Sequence, residues 1–230
     1  MHPLPPGQYE LDHFPRFGLL RFAPRFPRVP LATALGIGGD IAIDSPDVGA
    51  ALRSQPRVDQ VSDFHCVTTW SRRGLQWSGF SFRDFYEHVV VPAAAPAADA
   101  RLVVLRCQDG YAVGMPLDDL LADSVLLADR LDGQPLSIAH GAPLRLIAPA
   151  HYGYKNAKHL RAIEFWRDDR HYRPAAFRFM DHPRARVEAE ERGRGVPGWW
   201  LRWLYRPLVA PTARRFARAL AAHSPRAGSE

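Results

Sequence analysis

Apolar positions along this chain recur mostly at the short period of strands, in runs of four to eight residues broken by turn residues. Arg57–Phe64 predicts a strand leading into Cys66. Leu102–Cys107 (LVVLRC) is an apolar run of strand length stopped by Asp109-Gly110. Val125–Leu131, the turn Asp132-Gly133 and Leu144–Ala148 continue the pattern, and Leu160–Trp166 (LRAIEFW) alternates as a further strand. Helical signals are fewer. Ser81, with Asp84 three residues on, predicts an N-cap, followed by Phe85, Val89 and Val90 on one face. Pro116 is expected at the first position of a short helix, LDDLLA. Pro197–His223 predicts helix, interrupted by Pro207 and Pro211. Short strands with few, short helices predict an α+β fold with a mixed, sheet-rich core.

The pattern divides the chain into three. Residues 1–33 carry Phe14, Phe17, Phe22 and Phe26 among prolines with no period, as an extended arm that lays its aromatics on a domain. Residues 34–183 form the main domain. Residues 184–230 are a basic, Trp/Arg-rich helical extension, with 184–195 as a linker. A chain of 230 residues is long enough for one good core plus such extensions.

Charge changes this picture in one respect. The net charge is +6, yet Arg192–Glu230 holds eight arginines and one acid, a net of +7, which leaves residues 1–191 at −1. A nucleic-acid reader carries its basic stripe on the folded domain, so no nucleic-acid partner is expected. Trp199, Trp200, Trp203 and Tyr205 among these arginines suit an anionic membrane surface. They suit equally an amphipathic helix packed on its own domain. The opening residues show no apolar signal core, twin-Arg pair or cleavage site, and no apolar run approaches the ~20 residues that span a bilayer. With only two cysteines, a reduced, cytoplasmic protein is expected.

Three places could carry chemistry. Cys66, in Asp63-Phe-His-Cys-Val-Thr-Thr-Trp-Ser71, stands where a strand enters a polar turn. Such a thiol is either a buried structural residue or a nucleophile or soft-metal ligand, and the spacing leaves both open. His65 is poorly placed as its base, because neighbours in a strand point to opposite faces. Cys107, inside LVVLRC, is expected in the core. Second, among 30 basic residues the only lysines are Lys155 and Lys158, in Gly153-Tyr-Lys-Asn-Ala-Lys158. Compact ammonium groups in a glycine-containing turn suit a phosphate, or simply a solvated turn. Third, His140-Gly-Ala-Pro-Leu-Arg145 places a His and an Arg around a turn, where they could clamp an anion. The chain has no HExxH, CxxC or serine nucleophile elbow. Gly36-Ile-Gly-Gly39 lacks the spacing of a dinucleotide loop.

Taken together, these segments resemble a known family. Phe64-His-Cys-Val-Thr-Thr-Trp-Ser71, followed by Trp77-Ser-Gly79, is similar to the molybdenum-ligating cysteine segment of the sulfite oxidase superfamily, nearest the branch of the methionine sulfoxide reductase catalytic subunit. Asp109-Gly-Tyr111 with Pro116-Leu-Asp-Asp-Leu-Leu121 resembles that branch's active-site turn, and the His140 and Gly153 segments resemble its pterin-phosphate-binding segments. The resemblance implies a molybdenum–molybdopterin cofactor with Cys66 as its one protein ligand and two-electron oxo transfer on a small sulfite-like, S-oxide or N-oxide substrate. It implies that His140, Arg145, Tyr154, Lys155 and Lys158 hold the cofactor, that Tyr111 lines the substrate side, and that an electron-transfer partner exists. Where the family's N-terminal pterin contact carries Asn or Asn-His, this chain has Asp12-His13, and His13 takes that place. The alternative function is a non-catalytic member of the fold that binds a membrane surface or a partner through its C-terminal extension.

Overall fold

The computed structural model describes residues 3–27, 34–44 and 47–223; arm residues 28–33 and the tail beyond 223 lie outside them. In chain order the strands are β1 (Tyr9–Glu10), β2 (Gly36–Gly39), β3 (Val58–His65), β4 (Trp70–Ser81), β5 (Leu102–Cys107), β6 (Ala112–Pro116), β7 (Leu126–Leu131), β8 (Gln134–Pro135), β9 (Arg145–Ile147) and β10 (Leu160–Trp166). The larger sheet runs β1-β4-β7-β8, with β3 also on β4 and β9 on β7; the smaller runs β2-β10-β5-β6. Pairings β1–β4 and β2–β10 are parallel and the others antiparallel, so both sheets are mixed. The helices are short: α1 (Gly49–Arg53), α2 (Phe82–Phe85), α3 (Val91–Ala94), α4 (Leu117–Leu120), α5 (Gly198–Tyr205) and, longest, α6 (Val209–His223). This is the sheet-rich α+β arrangement that the hydrophobic pattern predicts.

The main core lies between the sheets. Phe80, Leu127 and Leu146 of the larger sheet meet Leu105, Val113 and Ile163 of the smaller, all buried. Leu126 and Ala128 point the other way, into a second cluster with Leu75, Trp77 and Ile147. Both faces of β7 are therefore covered, which is why its first residues read as a continuous apolar run instead of an alternation.

The arm supplies that second cover. β1 adds a parallel strand beside β4, and Phe14 packs edge-on against Phe64 (4.9 Å between ring centres) and Trp77 (6.1 Å). At the other end, Phe17 stacks on Phe216 of α6 and Arg16 lies over the same ring. The arm is thus held between the sheet and the C-terminal helix.

Three local expectations change. Residues 184–195 form no linker: Ala185, Val187 and Arg192 are buried. The Arg192 guanidinium donates to Val67 O (2.6 Å) and Pro6 O (2.9 Å), tying tail, hairpin turn and arm together. Pro116 closes β6 and caps α4 instead of occupying its first helical position. Pro207 does mark a break, a 3₁₀ turn at Arg206–Leu208. Pro211, by contrast, sits inside the first turn of α6, where its missing N–H has no partner to lose.

Candidate functional site

One large cleft, about 1140 Å³, opens beside the β3–β4 hairpin. Its walls come from the arm (Arg16–Phe22), the hairpin turn, the 153–159 turn, the 174–180 loop and α6. Cys66 is on that wall, 7% exposed, and Cys107 is not: it is buried at the end of β5. The placing agrees with the expectation that Cys107 is a core residue, and it leaves Cys66 as the thiol on the cleft wall.

The hairpin turn is tightly built. Cys66 N donates to Trp70 O (2.8 Å), Thr69 N to Cys66 O (3.1 Å) and Gln8 Nε2 to the same carbonyl (3.0 Å). Closing it forces Thr69 to φ 86°, a conformation a β-branched residue adopts only when its surroundings over-determine it. Cys66 Sγ lies 3.1 Å from Thr68 Oγ1. Burial pushes the thiol's pKa up; the Thr68 hydroxyl and the charges of Arg192 and Lys158 oppose that shift. Without a metal or other positive partner at sulfur, the group stays a thiol at neutral pH.

Beside the hairpin lies the 153–159 turn. Gly153 makes the approach possible, because a Cβ there would fall 2.1 Å from the Phe64 ring; its N–H donates to His65 O (2.8 Å). This turn is stitched in its turn to the His140 segment. Lys158 Nζ donates to Ala139 O (3.2 Å), His159 N to Gly141 O (3.2 Å) and Arg145 Nη1 to His140 O (2.8 Å), while His159 Nδ1 is 2.6 Å from Ala142 O. His140, Arg145 and Lys158 are therefore one cluster, and Lys158 also lines the cleft.

The cluster is short of negative charge. Arg145 is fully buried with Nε and Nη2 lacking any hydrogen-bond partner among the described residues, as does the buried His140 Nδ1. Burial, with the neighbouring cations of Lys158 and Arg145, pushes His140 down to about 4. Burial and the charge of Arg145 push Lys158 down to about 7, and burial pushes Arg145 to about 9. Buried donors of this kind are normally satisfied, and unpaired like charges in a low-dielectric site are costly. A bound multivalent anion would supply the missing acceptors and neutralise the cations, so the donor set fits the phosphate of an anionic cofactor.

The other residues singled out from sequence fall in different places. Tyr111 and Tyr154 line the cleft, with Tyr111 Oη donating to Tyr154 O (2.7 Å) and Tyr154 Oη 3.4 Å from His182 O. Lys155 is fully buried and turned inward, where Nζ donates to Gly114 O (2.7 Å) and pairs with Asp181 (3.1 Å). Asp181 also accepts from Tyr172 Oη (3.0 Å), so Lys155 anchors the start of the 174–180 cleft wall from inside. His13 is exposed, pairs with Asp12 (2.7 Å) and is absent from the cleft wall; its neighbour Phe14 instead stacks on His140 at 4.8 Å. Sequence reasoning gave Arg16 no role, left Asp109 without a role of its own inside the active-site-turn segment, and assigned the α6 arginines to a membrane surface or a packed helix; all of them line the cleft. Asp109 was visible as the first residue of Asp-Gly-Tyr; the α6 arginines gave no local signal of the cleft. Asp109 is the one carboxylate on the described cleft wall, and burial raises its pKa despite Lys158 and Arg16 nearby.

A two-sheet scaffold that presents one thiol, one carboxylic acid and an anion-deficient turn to a deep cleft defines a class: a domain built to bury a large anionic cofactor. Residues 48–173 match the model of one such family, the oxidoreductase molybdopterin binding domain, and the chain belongs to that family. The family implies a molybdenum–molybdopterin cofactor, in agreement with the resemblance found in the sequence. An uncharacterized oxidoreductase of Bacillus subtilis (strain 168), YuiH, is 38% identical over 118 residues, 51% of this chain and 57% of that protein. The protein-methionine-sulfoxide reductase catalytic subunit MsrP of Burkholderia mallei (strain ATCC 23344) is 28% identical over 179 residues, 67% of this chain and 53% of that protein. The chain spans about half the length of these curated relatives. Among solved structures, the sulfane dehydrogenase SoxCD from Paracoccus pantotrophus shares the fold at a TM-score of 0.51 and 17% identity, over 61% of this chain and 40% of that one.

Proposed function

We propose that this chain is a molybdenum-cofactor-dependent oxidoreductase that transfers an oxygen atom to or from a small sulfite-like, S-oxide or N-oxide compound. The observation that carries this reading is the placing of Cys66, the one cleft-facing cysteine, beside a buried cationic cluster whose donors lack acceptors. The cofactor, when bound, supplies the two-electron redox step, and the protein's share is binding, orientation and proton handling. In this reading Cys66 Sγ is the protein ligand, a soft donor that a metal keeps deprotonated against the upward push of burial. His140 Nδ1, Arg145 Nε and Nη2, and Lys158 Nζ hold the anionic end, and the Tyr154 backbone and ring wall its edge. Lys155 supports the same turn from beneath.

On the open side, Tyr111 and Asp109 are placed to meet a substrate. Asp109, whose pKa burial raises above the ordinary carboxyl value, would be the cleft-wall group placed to exchange a proton with the substrate. The similarity to MsrP favours a sulfoxide among the candidate substrates. Electrons come from a separate donor, and the protein works in the cytoplasm.

Expression in a host competent in molybdenum-cofactor synthesis tests the reading. About one Mo per chain after gel filtration, with pterin fluorescence on oxidation, is the expected result. Activity should follow with an artificial electron donor on sulfoxides or N-oxides, or with an acceptor on sulfite. A folded, soluble preparation free of Mo and pterin would sink it.

A further inference from the structure

The C-terminal helices carry a second surface, whose tryptophans lie outside the cleft wall and whose α6 arginines adjoin it. Leu201, Tyr205, Val209, Thr212 and Phe216 recur every three or four residues and are buried, so α5 and α6 already have an inward stripe. The exposed side of α5 and of the 3₁₀ turn after it is apolar as well. Trp199 (53% exposed), Trp200 (58%), Trp203 (75%), Leu204 (52%) and Leu208 (49%) face outward. A water-facing helix has no use for three tryptophans, and a contiguous exposed patch of this kind marks a partner.

Charge selects the partner. Residues 198–223 contain Arg202, Arg206, Arg214, Arg215 and Arg218 and no acid. Arg202 is offset by Glu190 at 3.6 Å, whereas Arg215 and Arg218 are exposed with no carboxylate partner among the described residues. A second copy of the chain is disfavoured, since a two-fold contact would set this arginine-only face against itself. Indole rings with arginines around them, on a helix too short to span a bilayer, match the headgroup layer of an anionic membrane: the rings sit at the acyl boundary and the guanidinium groups meet phosphates.

We infer that α5 and α6 as far as Arg218 form a peripheral docking face for an anionic lipid surface. Among the described residues no helix is long and apolar enough to cross a membrane, so the contact lies in the plane of the interface. Leu208 belongs both to this face and to the cleft wall, which also carries the exposed Phe177. Docking therefore brings the cleft mouth down to the headgroups, and a donor or substrate held at the membrane surface reaches the cleft without crossing bulk water.

Co-sedimentation of the full-length chain with vesicles of phosphatidylcholine alone, or with about one third phosphatidylglycerol, tests this. Wild type should pellet with the anionic vesicles and much less with the neutral ones, and raising salt from about 0.02 M to about 0.5 M should release it. The Trp200→Ser/Trp203→Ser variant, altered only at exposed side chains, should melt like wild type and bind the anionic vesicles about tenfold more weakly. Arg215→Glu/Arg218→Glu should lose binding by a similar factor while keeping the indoles, and it serves if the tryptophan variant fails to fold. No pelleting of wild type, or equal pelleting of wild type and both variants, would overturn the inference. So would a dimer seen by light scattering that the tryptophan changes abolish without any vesicle binding.

Discussion

The cleft wall and the packed interior received one member each of the chain's two rarest reactive pairs. Cys66 and Lys158 are on the wall, held by backbone hydrogen bonds, and Lys158 joins the cleft to the buried His140–Arg145 cluster behind it. Cys107 and Lys155 are interior. Cys107 fills core at the end of β5, and Lys155 is saturated by Gly114 O and Asp181. Residue type decides little here. What distinguishes wall from interior is whether donors and sulfur have partners inside the protein or are left for a ligand.

Substitutions that exchange these roles should show the difference. The largest effect is expected for Cys66→Ser. Turnover and Mo content should fall well beyond the about 10–100-fold that loss of a supporting partner at a metal site costs, with the melting curve nearly unchanged. Retained activity in that variant would put the metal ligand elsewhere. Lys155→Met should act on the fold. Removing one partner of a buried pair leaves Asp181 uncompensated and costs about 3–5 kcal/mol in chemical denaturation. Pairing it with Asp181→Leu should recover most of that loss, which a direct role in cofactor binding would not allow.

Lys158→Ala should leave the cofactor-free chain at least as stable and weaken cofactor retention. One charge-assisted contact is worth about 1.5–3 kcal/mol, roughly tenfold to over a hundredfold in occupancy at limiting cofactor. Its pH signature follows from the depressed pKa. Between about 7 and 10.5 the unfolded chain holds the proton that the folded chain has released, so stability of the cofactor-free protein rises with pH across that window. Lys158→Ala should flatten the rise; an unchanged slope would mean that the ammonium is not buried there. The smallest effect is expected for Cys107→Ser, about 1–3 kcal/mol from placing a hydroxyl in an apolar strand, with activity per folded molecule intact.

Much of the fold is legible in the chain because its signals are local. Leu102–Cys107 and Leu160–Trp166 are strands with the bounds their apolar runs suggest, and Ser81 caps its helix by accepting from Asp84 N. The family motifs at Cys66, His140 and Gly153 are equally local. Less legible were residues whose role depends on distant partners. Lys155 reads from sequence as a phosphate contact or a solvated turn residue, because Asp181, which pairs with it inside the fold, lies 26 residues on. Residues 184–195 looked like a linker because nothing nearby shows that Arg192 will reach Val67, 125 residues back.

By itself, then, the sequence determined strands β3, β5, β7, β9 and β10, the turn that carries Cys66 and the family to which the domain belongs, whereas β4 was not read from it. Period-two patterning, turn chemistry and short motifs are all set within a few residues. Only the tertiary structure decided which lysine is spent inside, and that α6 and the arm close the cleft with arginines. Those outcomes depend on which donors find acceptors across long separations, and desolvation makes the unpaired ones available to a ligand.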